Sequence, residues 1–126
     1  MKTILVDAWN TFVTGEGVNQ EMQWMLDSFP NTKIILTNAN SEEKEKFGIV
    51  NMPYGVFSLE HNPNKTDPIY FQKLLEEFAL TIDDVVYFEH NSEAVEAARS
   101  IGINTFWYDK DAKDIRELSQ FLKNNI

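Results

Sequence analysis

Thr3-Ile4-Leu5-Val6-Asp7-Ala8-Trp9-Asn10-Thr11 decides the reading of the fold: a short β-prone apolar run meets a carboxylate and then polar turn residues. The same alternation of a short apolar run with a segment of helical spacing recurs to the end of the chain. After a loop holding Gly15 and Gly17, the residues Val18, Met22, Met25, Leu26 and Phe29 mark one face of a helix that Pro30 stops. Lys33 to Thr37 is the second strand. Asn40 with Glu43 three residues on makes a capping box that opens a short helix ending at Gly48. Tyr54 to Leu59 is a third, weaker strand. Asp67-Pro68 then caps a helix running to about Phe78, with Ile69, Leu74, Leu75 and Phe78 as its buried stripe.

Val85 to Phe88 is the most β-prone run, and Ser92 to Ile101 is a helix with Gly102 placed for a left-handed C-cap. Asn104 to Tyr108 is a fifth strand, with Trp107 as core. A last helix runs from about Asp111 to Asn124, burying Ile115, Leu118, Phe121 and Leu122. Strands alternating with helices predict right-handed crossovers and a three-layer α/β/α sandwich around a five-stranded parallel, Rossmann-like sheet.

The 126 residues read as one domain, 1–126, without repeat, low-complexity tract or linker. Zero cysteines exclude disulfides, thiolate zinc sites and a thiol nucleophile, and two histidines exclude a histidine-rich metal site. A net charge of -9 repels phosphate backbones and anionic lipid, so neither nucleic acid nor a membrane surface is an expected partner. No apolar stretch reaches membrane length and no signal-peptide core follows Met1, so the expected location is the cytoplasm.

In a doubly wound sheet the polar site lies off the carboxyl ends of the strands. Those ends carry Asp7 to Thr11, Thr37-Asn38 and Glu89-His90-Asn91, while Lys65 stands in the loop entering the third long helix. Each has an ordinary explanation alone, as a cap, a turn or a solvated ammonium. Together they bring a nucleophilic carboxylate, a hydroxyl, an ammonium and a second carboxylate to one edge, which is a phosphoryl-transfer constellation.

From Ile4 to Tyr108 the chain resembles the haloacid dehalogenase-like superfamily. That family's Asp-x-Asp-x-Thr motif is matched by Asp7, Asn10 and Thr11; its Thr or Ser after the second strand by Thr37-Asn38. Its lysine motif is matched by Lys65-Thr66-Asp67-Pro68, and its acidic fourth motif by Glu89-His90 before Ala97-Ala98-Arg99-Ser100-Ile101-Gly102. The resemblance implies Asp7 as nucleophile, Thr37 and the Asn38 backbone as donors to the transferred group, and Lys65 as the neutralising cation. Thr11 and Trp9 complete the substrate-binding set. It further implies Mg2+ held by Asp7, the Trp9 carbonyl and Glu89, with a phosphorylated small molecule or macromolecule as substrate.

Three departures qualify this. Trp9 stands where the family's phosphatases carry a second aspartate as general acid and base, a task an indole cannot perform. An aromatic residue at that place is similar to the family's dehalogenases, whose halide leaves without a proton. The Phe12 to Gly17 loop and the Asn38 to Tyr54 segment leave no room for a cap domain, which argues against a small haloacid pocket. Glu89 and His90 replace the usual acidic pair; a lone histidine there is more often a solvated or capping residue than a ligand. The expectations are therefore a weak capless hydrolase of phosphatase-type or related ester chemistry, and alternatively a catalytically inactive binding protein on the same scaffold. A haloacid dehalogenase ranks below both, as does a receiver domain, since the latter has only Glu60, in a loop, to accept phosphate.

Overall fold

The computed structural model describes residues 1–126. Its elements in chain order are β1 Thr3–Asp7, β2 Val13–Thr14, β3 Gly17–Val18, α1 Gln20–Asp27, β4 Lys33–Thr37, α2 Ser41–Lys46 and β5 Gly55–Ser58. These are followed by α3 Pro68–Glu77, a 3-10 turn at Ile82–Asp84, β6 Val85–Glu89, α4 Ser92–Ser100, β7 Asn104–Trp107 and α5 Ile115–Asn125. Five strands form one sheet in the order β5-β4-β1-β6-β7, every neighbouring pair parallel. The expected α/β sandwich is thus present, and β1 lies at its centre, flanked on both sides.

Alternation along β1 sends Ile4 and Val6 to one face and Leu5 to the other. Ile4 and Val6 join Met22, Leu26, Leu118 and Leu122, so α1 and α5 cover that side. Leu5 joins Tyr70, Phe71, Leu74, Tyr87, Ala97 and Ala98, so α3 and α4 cover the other. A strand buried on both faces has no need of polar alternation, which is why β1 and β6 are buried at every position. Helix starts are fixed by side chains at their N-caps: Asn19 accepts from Met22 N, Asp67 from Ile69 N, Asn91 from Glu93 N, and Asn40 closes its box with Glu43.

Several sequence expectations are corrected. Val18 belongs to a small β2–β3 hairpin rather than to the first helix, because Val13 pairs with Val18 before Asn19 caps α1. That helix also stops at Asp27, ahead of Phe29 and Pro30, with Ser28 as its cap. The last helix begins at Ile115, not near Asp111: the Asp109 carboxylate accepts from Asp111 N and Ala112 N, holding that segment as a turn. Trp107 is not core. It sits on the edge strand β7, 48% exposed, and its indole N–H donates to His90 O at 2.8 Å. No helix is long and apolar enough to cross a membrane.

Gly102 ends α4 at φ +97, and a Cβ there would stand 3.0 Å from Ile82 Cδ1. The left-handed conformation costs an L-residue about 1–2 kcal/mol. Gly102→Ala is expected to lower unfolding stability by at least that amount, read as a reduced urea midpoint at unchanged m-value.

Candidate active site

The centre of the sheet and its crossover loops build the site. Asp7 is the last residue of β1, and β1 is hydrogen-bonded to β4 on one side and β6 on the other. The strand ends at Thr37 and Glu89 are therefore brought to either side of it. Beyond Asp7 the backbone turns sharply, with Asn10 at φ +67, a conformation asparagine tolerates. That turn returns Thr11 Oγ1 to donate to Asp7 Oδ2 at 2.6 Å.

Lys65 enters from the loop before α3. Asn38 Oδ1 accepts from Lys65 N at 2.7 Å, which fixes the loop against the end of β4. The Lys65 ammonium then donates to Asp7 Oδ1 at 2.7 Å, Glu89 Oε1 at 2.8 Å and Leu36 O at 3.3 Å, using all three of its N–H bonds. Lysine and both carboxylates are buried. Glu89 is held further: its Oε1 accepts the Tyr87 hydroxyl, and its Oε2 accepts from Asn91 N at 3.0 Å. Strand alternation explains the first contact, since Tyr87 and Glu89 are two apart on one face of β6.

His90 completes the group. Its Nδ1 lies 2.5 Å from Asp7 Oδ2 and 3.3 Å from Glu89 Oε2, and its backbone N–H donates to Asp7 Oδ2 at 3.2 Å. Sequence reasoning favoured a solvated or capping role for this residue. The signal that it belongs to the site is its place directly after Glu89, combined with the pairing of β6 and β1, which no local pattern reveals.

Asp7, Trp9, Thr37, Asn38, Lys65 and Glu89 line one cavity of about 250 Å³, with His61 and His90 also in its wall. Thr11 reaches the site through Asp7. The Thr37 hydroxyl accepts from Ala39 N at 3.1 Å, leaving its own proton for another acceptor. Trp9 packs against Phe47 with ring centroids 4.7 Å apart. His61 bonds Glu43 Oε1 through Nε2 at 2.6 Å and Asn64 Oδ1 through Nδ1 at 2.8 Å, joining α2 to the loop before α3.

Burial alone would raise the Asp7 pKa and lower that of Lys65; their mutual attraction, with Glu89 acting on Lys65 and His90 on Asp7, reverses both trends. Asp7 is held well below the usual carboxylate range and Lys65 above the usual ammonium range. Burial likewise opposes charge on His90, but its hydrogen bonds to Asp7 and Glu89 raise its pKa to about 9. Burial and the neighbouring carboxylates raise Tyr87 well above its ordinary value, so it remains a donor.

Asp7, Glu89 and His90 offer ligand atoms within 4.8 Å of one another. Magnesium prefers six oxygens in near-octahedral array at about 2.0–2.1 Å. Here all four carboxylate oxygens already accept N–H or O–H bonds, and the third group is an imidazole nitrogen, a ligand suited to softer ions. The residues as arranged do not fit Mg2+.

Lys65→Met leaves two carboxylates buried without their ammonium and is expected to cost about 3–5 kcal/mol by urea denaturation. The pH dependence follows from His90. A pKa raised from 6.5 to about 9 gives stabilisation that is complete below pH 6.5 and lost as pH rises through about 9. Thermal melts of wild type should therefore show a falling limb between these values that His90→Asn flattens.

No family model matches the chain, and no curated protein matches it significantly. Solved structures do. An uncharacterized protein from Corynebacterium glutamicum aligns with TM-score 0.63 at 16% identity, covering 98% of this chain and 96% of that one. The core domain of a protein assigned as a phosphoglycolate phosphatase from Streptococcus pneumoniae aligns with TM-score 0.58 at 17% identity, over 93% and 96%. A haloacid dehalogenase-like protein of unknown function from Agrobacterium tumefaciens aligns with TM-score 0.54 at 20% identity, over 68% of this chain and 42% of that one. The chain thus has the haloacid dehalogenase-like fold.

Proposed function

We propose that the chain is a haloacid dehalogenase-like hydrolase of the phosphatase type, acting slowly on a phosphorylated substrate through Asp7. The observation that carries this reading is the Lys65 ammonium bridging Asp7 Oδ1 and Glu89 Oε1 at a cavity wall. An Asp7 oxygen attacks phosphorus, the bond to the leaving oxygen breaks, and an aspartyl phosphate forms. Water then attacks that intermediate, releasing phosphate and restoring the carboxylate. Lys65 keeps Asp7 ionised, and the Thr37 hydroxyl with the Asn38 backbone N–H supplies donors to the transferred group.

The leaving oxygen needs a proton that the Trp9 indole does not supply. Positioned acid–base groups contribute about 10²–10⁴-fold, so the rate is reduced by that order unless the leaving group is stable as an anion. Only the β2–β3 hairpin separates β1 from α1, and only the six-residue α2 lies between β4 and β5. These short connections support a capless site, which favours a substrate large enough to cover the cavity itself.

One observation favours the alternative, a binding protein without turnover. Asp7 Oδ2 accepts from Thr11 Oγ1, His90 Nδ1 and His90 N, while Oδ1 is held by Lys65. A carboxylate engaged on both oxygens must give up a bond before it can attack. A receiver domain gains no such support, because Glu60 is exposed in the turn after the edge strand β5 and outside the cavity wall.

Hydrolysis of a generic aryl phosphate separates the two readings. Wild type is expected to exceed Asp7→Asn clearly, and on an alkyl phosphate, whose leaving oxygen needs the proton, Trp9→Asp is expected to raise the wild-type rate by about 10²-fold or more. Equal rates for wild type and Asp7→Asn would leave the binding reading in possession of the site.

A further inference from the structure

We propose that His90 is a built-in replacement for a divalent cation, its imidazole occupying the gap between Asp7 and Glu89 so that the site works without bound magnesium. The inference deepens the hydrolase reading and rests on it for the expectation of a metal. The geometry is that of a bridging cation. His90 Nδ1 faces Asp7 Oδ2 at 2.5 Å and Glu89 Oε2 at 3.3 Å, while Lys65 Nζ faces the other oxygen of each carboxylate at 2.7 and 2.8 Å. Two carboxylates are thereby opposed by two nitrogen groups, one on each side. A dication added to this arrangement would have to displace the imidazole, since Mg2+ tolerates little departure from its short oxygen distances.

Glu89 is also unable to turn toward an ion. Its Oε1 already holds Lys65 and the Tyr87 hydroxyl, and its Oε2 holds Asn91 N at the entrance to α4. A carboxylate with no exposed surface and bonds at both oxygens is a counter-ion locked by its surroundings. His90 differs: its ring is 20% exposed, Nε2 has no partner within the protein, and the residue lines the cavity beside Thr37 and Asn38. The ring therefore binds the carboxylates through one nitrogen and leaves the other without a protein partner, in a residue that lines the cavity.

Binding, not turnover, tests this. Thermal melts and titration calorimetry with magnesium chloride alone are to be run on wild type, His90→Asp and His90→Asn, each first checked for folding by circular dichroism. Wild type is expected to show no saturable shift up to millimolar Mg2+, whereas His90→Asp, with a third carboxylate in the gap, gains a saturable rise in Tm. His90→Asn is expected to lose stability without Mg2+ and to recover part of it when the ion is added. Saturable Mg2+ binding by wild type at millimolar levels or tighter overturns the proposal even if neither variant folds, and so does a wild-type response equal to that of His90→Asp. The aryl phosphate assay reports on the hydrolase reading separately. Turnover abolished by EDTA and restored by Mg2+ would sink the inference and leave that reading standing.

Discussion

The Lys65 ammonium is the part on which the rest of the site depends. Burying it with Asp7 and Glu89 removes three charges from water, a cost of several kcal/mol per ion that Coulomb attraction offsets only when geometry is good and every remaining lone pair is bonded. In the structure each oxygen of both carboxylates has at least one hydrogen-bond donor. Asn38 fixes the lysine backbone, Leu36 O takes its third proton, and Tyr87, Asn91, Thr11 and His90 satisfy the carboxylates. A loop residue thereby ties together the ends of β1 and β6 and the approach to α3, and the His90–Asp7 contact adds a second charged link between the two strand ends.

On the proposed reading, a chain of net charge -9 receives an anionic group at this network. Where the strands end, Lys65 and His90 stand against Asp7 and Glu89, so the acidic groups of the cluster are balanced rather than added to the surface charge. Acidic surface elsewhere keeps the average field repulsive, so an anion must be recognised by local geometry rather than by long-range attraction. A partly covered cavity strengthens that local contribution, because each interaction inside it is less screened than at the open surface.

Stability and reactivity pull against each other at Asp7. In the proposed reaction the bonds that make its burial tolerable also occupy the oxygen that would attack, and Trp9, packed on Phe47, supplies no proton. On the proposed reading, the slow hydrolase and the binding protein are two ends of that one balance.

Much of this was legible before any coordinates. Hydrophobic runs and caps at Asn40, Asp67 and Gly102 are local signals, set by periodicity and by backbone hydrogen bonds within a few residues, so the strand and helix order followed from them. The gathering of Asp7, Thr37, Asn38, Lys65 and Glu89 at one edge was legible too, because parallel strands bring their carboxyl ends together. The hairpin at Val13 to Val18 was not, being two residues per strand, nor was the exposure of Trp107, which depends on β7 lying at the sheet edge. The sequence by itself determined the element order and the candidate residues, since both rest on spacing along the chain. Only the tertiary structure decided that β6 pairs with β1 and so brings His90 against Asp7. That contact spans 83 residues, and its existence depends on which strands are neighbours, a choice made by packing the whole core and by no local segment.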